Sequence, residues 1–188
     1  MATDGRNFRL ATKDDAVQLE RLINTAFRAD TTTQVFLSAD HARVDVTDVP
    51  SILARIAQPD CMVLAATDPD GALVAHCSVR KLDEDRAWFG MLAVDVGCQN
   101  RGLGSQVLAY AELYARREWG ATRMEFGVVC TRAELIAWYT RRGYRATGET
   151  TPFPYDHHGD WRGVLRDDLH FITLGKNLGE APITTGAE

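Results

Sequence analysis

The segment at residues 91–105 constrains the fold of this chain more than any other. It reads MLAVDVGCQNRGLGS, an apolar stretch followed by the pattern Q-x-x-G-x-G and then by apolar residues at helical spacing. A strand that turns directly into a helix exposes free backbone N–H groups at the positive end of the helix dipole. Gly102 and Gly104 lack a Cβ, so the backbone there can approach a bulky anion closely. The segment therefore predicts a pyrophosphate site whose donors lie between Asn100 and Ser105.

Other phosphate-binding motifs do not fit this segment. A P-loop requires Gly-Lys followed by Ser or Thr, and these residues do not follow the glycines here. The dinucleotide-binding fingerprint requires a third glycine at the position of Val107. Two glycines alone could form no more than a tight turn between a strand and a helix. The strand before them and the helix after them favour the binding site over that alternative.

The order of predicted strands and helices defines a fold class. Apolar runs predict strands at residues 8–11, 61–66, 72–81, 86–96, 123–130, 144–149 and 168–174. Helical spacing predicts helices after Thr12, at about 49–57, at 105–118 and at 131–142. The strand at 86–96 is mostly apolar, which indicates burial on both faces. We therefore expect one mixed α/β domain at residues 1–178, with about seven strands and about four helices, and a disordered tail at 179–188.

Composition narrows the possible partners. The net charge of −5 leaves no basic footprint for nucleic acid. No apolar run is long enough to span a bilayer, and the N-terminal residues lack the apolar core of a secretory signal. The four cysteines form no Cys-x-x-Cys pair, which argues against a zinc site and favours a reduced, cytoplasmic protein.

Two segments resemble a known family. Leu92, Ala93 and Val94, together with the Q-x-x-G-x-G pattern, resemble motif A of the GNAT acyl-CoA N-acyltransferase superfamily. Residues 133–144, AELIAWYTRRGY, are similar to motif B, with Tyr139 placed four residues before a Gly-aromatic pair. The resemblance implies a mostly antiparallel sheet, acetyl-CoA as co-substrate and no metal. This sequence departs from the family at 96, where Val replaces a frequent Pro, and at Arg132, where a frequent Asn contacts the pantetheine arm.

The resemblance also implies how the cofactor is held and how it reacts. In the family, two central strands splay apart and the pantetheine arm fills the gap, while an N–H group, here near Val94, polarises the thioester. An amine attacks directly in a ternary complex, so no covalent nucleophile is needed. Tyr139 is the implied general acid, and Glu125 or Glu134 could act as the base. The implied cofactor-binding residues are Leu92, Ala93, Val94, Gln99, Asn100, Arg101, Gly102, Leu103, Gly104, Ser105, Leu135 and Tyr139.

The acceptor is expected to be a primary amine on a small molecule. Its pocket is expected to include Phe27, Phe89, Met91 and Tyr155, although aromatic residues of this kind could equally be ordinary packing. The loop at 156–158 carries an Asp and two His near the family's acceptor position. Two other functions stay open: a protein or peptide N-acetyltransferase, and a non-catalytic acyl-CoA-binding sensor. The family further implies that a homodimer is possible.

Overall fold

The computed structural model describes residues 5–29, 46–153 and 168–179. Within them, seven strands form one sheet in the order β1-β2-β3-β4-β5-β7-β6. All neighbouring strands are antiparallel except β4 and β5, which are parallel. The predicted mixed, mostly antiparallel sheet is therefore confirmed. The strands are β1 (Asn7–Leu10), β2 (Cys61–Thr67), β3 (Leu73–Lys81), β4 (Arg86–Val94), β5 (Arg123–Val129), β6 (Arg145–Pro152) and β7 (His170–Asn177).

In the described part of the chain, four α-helices cover the two faces of the sheet. Helices α1 (Ala16–Ala29) and α2 (Val49–Ile56) share one apolar cluster with Val63 and Ala93, and we call this side of the sheet the α1 face. Helices α3 (Leu103–Trp119) and α4 (Ala133–Thr140) pack on the opposite side, the α3 face, in the larger core cluster. Within the described residues, no helix combines the length and the apolar character that a bilayer span requires.

The start of α1 is fixed by an ion pair and a capping box. Asp15 accepts hydrogen bonds from the Thr12 backbone N–H at 2.7 Å and from both terminal nitrogens of Arg9 at 2.7 Å. The Arg9 hydrogen bonds are the main reason that the pKa of Asp15 falls to about 2. A 3-10 turn at Lys13–Asp15 separates Thr12 from α1, so the helix begins later than the sequence predicts.

Strand β4 carries a bulge that changes which face its side chains occupy. On β3, Ser78 pairs with Gly90 and His76 pairs with Ala93, so two residues of β4 oppose one residue of β3. Met91 adopts a left-handed backbone conformation with φ of 55° at this point. Before the bulge, odd-numbered side chains point to the α3 face; after it, Met91 and Ala93 point to the α1 face.

Several predicted boundaries need correction. Strand β4 ends at Val94 rather than at 96. Its side chains pack into the core clusters on both faces, as predicted, although several of them are only half-buried. Helix α3 begins at Leu103 rather than at 105, because Gly102 takes the left-handed conformation and acts as N-cap. Helix α4 is shorter than predicted, and β6 and β7 each extend further along the chain. Of the tail expected to be disordered, residues 180–188 lie outside the described residues.

Candidate active site

A gap opens between the two parallel strands. β4 and β5 pair only from Arg86 opposite Arg123 to Trp88 opposite Glu125. Strand β4 continues to Val94 and β5 to Val129 without further pairing between them, so the backbone groups along the upper part of β4 face an open edge. An extended molecule could fill that edge in the way an added strand does. This is the splay that the family resemblance implies.

The open end of the gap leads to the turn at the head of α3. Gly102 and Asn100 have φ angles of 79° and 59°, and both residues are exposed. Among the described residues, no backbone acceptor takes the N–H groups of Leu103 and Gly104, which are left for a ligand. The Ser105 N–H instead donates to the Gly102 carbonyl at 3.1 Å. The Ser105 N–H is therefore engaged within the turn, and the row of free donors ends at Gly104.

Gly104 has no packing reason to be glycine. A Cβ at this position would lie 3.7 Å from Trp138 Cζ2 and 3.8 Å from Val94 Cγ2, which are ordinary van der Waals distances. A glycine inside a helix costs about 1 kcal/mol relative to alanine. Because the protein itself would accept alanine here, the glycine is best explained by a ligand that approaches the backbone closely.

Arg142, two residues past the end of α4, brings positive charge to the same turn. Its Nε and Nη2 donate to the Ser105 hydroxyl, and its Nη1 donates to the Trp138 carbonyl at 2.8 Å. The guanidinium lies 3.6 Å from the centre of the Trp138 ring. No carboxylate among the described residues pairs with Arg142, and the first turn of α3 contains no acid. A cation held at the positive end of a helix indicates that this turn receives an anion.

Tyr139 lies between the diverging strands on the α3 face. Its ring packs 4.3 Å from that of Phe126 on β5 and 6.5 Å from that of Phe89 on β4, measured between centroids. The side chain is 4 % exposed, and burial raises the pKa of its phenol, which keeps the hydroxyl protonated. No described residue hydrogen-bonds to that hydroxyl. The Tyr139 hydroxyl is therefore a protonated hydrogen-bond donor at the gap that no described residue engages.

Comparison with known proteins agrees with this geometry. Residues 19–144 match the model of the acetyltransferase (GNAT) family. This chain belongs to that family. The blasticidin-S acetyltransferase of Streptomyces morookaense is 32% identical over 91 residues, an alignment that covers 45% of this chain and 57% of that relative. This chain thus spans little more than half the length of that curated relative.

Solved structures share the fold of this GNAT-family chain. The PaiA N-acetyltransferase of Thermoplasma acidophilum, in complex with coenzyme A, superposes with a TM-score of 0.70 at 14% identity, over 92% of this chain and 98% of that one. The ribosomal-protein-S18-alanine N-acetyltransferase of Escherichia coli gives a TM-score of 0.67 at 13% identity, over 97% of this chain and 99% of that one. At such identities the likeness concerns the fold.

Glu125 is not available as the predicted base in this GNAT-family domain. Its side chain lies 2.6 Å from Arg123 Nε and 3.7 Å from Arg86 Nη1, and the residue is 3 % exposed. It occupies the last position of β5 that pairs with β4, opposite Trp88. Two guanidinium groups contact the buried carboxylate and leave it no open side for a substrate. Glu125 ties β4 to β5 at the closed end of the gap.

The predicted acceptor residues lie on two different faces. Phe27 and Met91 pack against the same cluster on the α1 face. Phe89 is 1 % exposed and lies in the core of the α3 face, so its prediction as a wall of the acceptor pocket is wrong. Tyr155 lies outside the described residues, as does the loop at 156–158. Glu134 is exposed in the first turn of α4, where the helix dipole favours an acid.

The other predicted cofactor residues follow the gap and the turn. Leu92, Val94 and Leu135 are half-buried beside the core of the α3 face, whereas Ala93 is buried on the α1 face. The Gln99 amide donates to the Val94 carbonyl at 3.2 Å and links the turn to the end of β4. The remaining members are Arg101, which is exposed, and Leu103, which is buried in the core.

Sequence reasoning missed four residues at the site. Trp138 on α4 and Arg142 in the turn after it are four residues apart, a spacing that brings side chains together along a helical turn and could have suggested their contact. His76 and Ser78 lie in an apolar strand, where a histidine is ordinarily read as packing. Only the pairing of β3 with the bulged part of β4 brings them to the site.

Proposed function

We propose that this chain is an N-acetyltransferase that moves an acetyl group from acetyl-CoA to a primary amine of a small molecule, by direct attack in a ternary complex. The observation that carries the proposal is the gap between β4 and β5, which leads at its open end to the positive turn at the head of α3. Membership of the acetyltransferase (GNAT) family supports the same activity.

The two ends of acetyl-CoA fit the two parts of this site, the turn at the head of α3 and the gap between β4 and β5. Its diphosphate would accept from the Leu103 and Gly104 N–H groups, with Arg142 supplying the balancing charge. Its pantetheine arm would run along the open backbone edge at residues 92–94. Because the diphosphate end lies beyond Val94, the thioester at the other end would come to Leu92, near the bulge, rather than to Val94 as the family resemblance suggested.

Two groups would assist the reaction on the α3 face. A backbone N–H of β4 near the thioester would stabilise the oxyanion that forms when the amine attacks. Tyr139 would donate its hydroxyl proton towards the sulfur as the C–S bond breaks. The free thiol has a pKa of about 8.5, so a donor close to the sulfur makes the thiolate a better leaving group.

A small-molecule acceptor is favoured over a protein. The blasticidin-S acetyltransferase, whose name states a small-molecule acceptor, is a relative with 32% identity in the aligned part. The S18-alanine N-acetyltransferase, whose name states a protein acceptor, shares only the fold with this chain. Peptide acetylation is therefore the second candidate.

A panel assay separates these candidates. The full chain is mixed with acetyl-CoA and one amine at a time: blasticidin S, polyamines, amino acids, amino sugars and short peptides. Free thiol is measured, and mass spectrometry identifies the acetylated product. We expect thiol release with at least one small amine and little with peptides. Release with peptides alone would favour the second candidate.

Binding is measured separately by calorimetry with acetyl-CoA. Binding of acetyl-CoA without thiol release in the presence of any amine would indicate an acyl-CoA-binding sensor and would contradict the proposed enzymatic activity. An absence of binding would contradict the assignment of the turn as a diphosphate site.

A further inference from the structure

We propose that Ser78 and His76 accept the proton of the acceptor amine, on the α1 face of the sheet opposite Tyr139. This inference rests on the proposed function and adds the base that Glu125 cannot be. Its starting point is the position of the two residues on β3, where they pair with Gly90 and Ala93 on either side of the β4 bulge.

The space beside Ser78 is open. A Cβ placed on Gly90 would meet nothing within 4 Å, so the α1 face has a notch directly across from Ser78. Phe27 and Met91, two of the predicted acceptor residues, pack on this same face. An amine that reached the end of the gap from the α1 face would therefore pass the Ser78 hydroxyl.

Hydrogen bonds fix the orientation of the pair. His76 Nδ1 lies 2.9 Å from the Leu64 carbonyl oxygen. A carbonyl can only accept, so Nδ1 carries the hydrogen and Nε2 offers its lone pair. The Ser78 hydroxyl lies 3.3 Å from Nε2 and donates to it. The lone pairs of the Ser78 oxygen are then left to receive a proton from a substrate.

The difference in burial between Ser78 and His76 gives the two residues different roles. Ser78 is 9 % exposed and His76 is 2 % exposed, so a substrate can reach the imidazole only through the hydroxyl. Burial also lowers the pKa of His76 to about 4, with a smaller contribution from Arg55 on α2. The imidazole is therefore neutral before reaction, and an imidazolium formed there would give its proton up again readily.

The step balances without any further reactant. The neutral amine forms an N–C bond to the thioester carbon, and the C–S bond breaks. The amine proton moves to Ser78 Oγ while the Ser78 proton moves to His76 Nε2. The thiolate takes a proton from Tyr139. The imidazolium then releases its proton through Ser78 to solvent, and the Tyr139 phenolate takes one proton from solvent, which restores all three groups and leaves the amide and the free thiol as products.

The test uses variants of the full chain and an amine that the panel identifies as an acceptor. Ser78→Ala removes the relay, whereas Ser78→Thr keeps a hydroxyl. His76→Asn keeps a donor towards Leu64, and His76→Gln keeps an acceptor towards Ser78, but neither can take up a proton. Thr67→Ala is the matched control, because Thr67 is a buried hydroxyl residue on the neighbouring strand β2. Circular dichroism and thermal unfolding report whether each variant folds.

We expect Ser78→Ala and both His76 variants to lower kcat about 100-fold, the scale of general base catalysis. The Kd for acetyl-CoA should stay within about twofold of wild type, since these residues do not contact the coenzyme. Ser78→Thr should retain more activity than Ser78→Ala, and Thr67→Ala should match wild type. If the His76 variants do not fold, the comparison of Ser78→Ala with Ser78→Thr still tests the relay.

Wild-type kcat in folded Ser78→Ala would overturn the relay and leave the proposed function intact. A loss of activity in Ser78→Ala that is matched by an equal weakening of acetyl-CoA binding would overturn the relay as well. A wild-type chain that binds acetyl-CoA but acetylates no amine would overturn the proposed function and the relay together.

Discussion

The two faces of the sheet differ in how their site residues are assembled. On the α3 face, the turn, Arg142 and Tyr139 come from two short segments, each of which forms its part of the site locally. On the α1 face, Ser78, Gly90 and Met91 meet only because β3 pairs with a bulged β4. The face that holds the coenzyme in our proposal is thus built from local motifs, and the face that would meet the acceptor is built from strand register.

If the α3 face carries the leaving-group chemistry, Tyr139→Phe should have the largest effect. The change removes one oxygen and keeps the ring packed against Phe126, so the fold should be retained. We expect kcat to fall about 100-fold or more, with little change in the Kd for acetyl-CoA. Steady-state kinetics and calorimetry on the same preparation measure both quantities. Equal kcat in the mutant and the wild type would remove Tyr139 from the mechanism.

The turn at the head of α3 offers a test in which binding and stability move in opposite directions. Gly104→Ala should weaken acetyl-CoA binding about tenfold or more, because the new Cβ occupies space that the diphosphate needs. The same change should raise the free energy of unfolding by up to about 1 kcal/mol, since alanine favours the helix and its Cβ meets no close neighbour. Calorimetry and denaturant unfolding check the two halves. Unchanged affinity would contradict the diphosphate assignment.

Arg142 tests whether charge at this turn acts on the coenzyme. Arg142→Gln should raise the Kd for acetyl-CoA several-fold, because a hydrogen bond to a charged group contributes about 1.5–3 kcal/mol and solvent screening at this partly exposed site reduces that to about 1 kcal/mol. The loss should shrink as salt is added. Arg117→Ala is the control, because it also removes one positive charge but lies exposed in the last turn of α3. Equal losses in the two variants would indicate a general charge effect.

The smallest effect on activity is expected from the anchor of α1, which is remote from the coenzyme. The pKa of Asp15 is depressed to about 2 in the folded state, below its unfolded value of about 3.9. Its stabilisation is therefore present above pH 4 and is lost as the pH falls towards 2. Asp15→Asn should cost about 1–2 kcal/mol of unfolding free energy at neutral pH, because solvent around the partly exposed Arg9 screens the pair. The cost should be much smaller at pH 2, where about half of the Asp15 carboxyl groups are already protonated. Urea unfolding at both pH values measures this, and acetyl-CoA affinity should not change.

The sequence allowed the α3 face to be predicted more fully than the α1 face. A glycine pattern between a strand and a helix has one main structural solution, so the turn could be recognised directly, and motif B placed Tyr139 beside it. The alternation of β4, by contrast, predicts one face for Phe89 and Met91, and the bulge between β3 and β4 puts them on opposite faces. The arginine partners of Glu125 also escape sequence reasoning, because Arg86 lies on another strand.

The same bulge has a consequence for how this protein can change over time. One additional residue reverses the alternation of side chains along the strand. In our proposal, neighbouring positions of β4 therefore face the coenzyme on one side and the acceptor on the other. In our proposal, substitutions at Met91 change which acceptor binds, while the contacts of Leu92 and Val94 with the coenzyme stay the same. Removal of that single residue would instead exchange the two sets of side chains, and both tasks would fail at once.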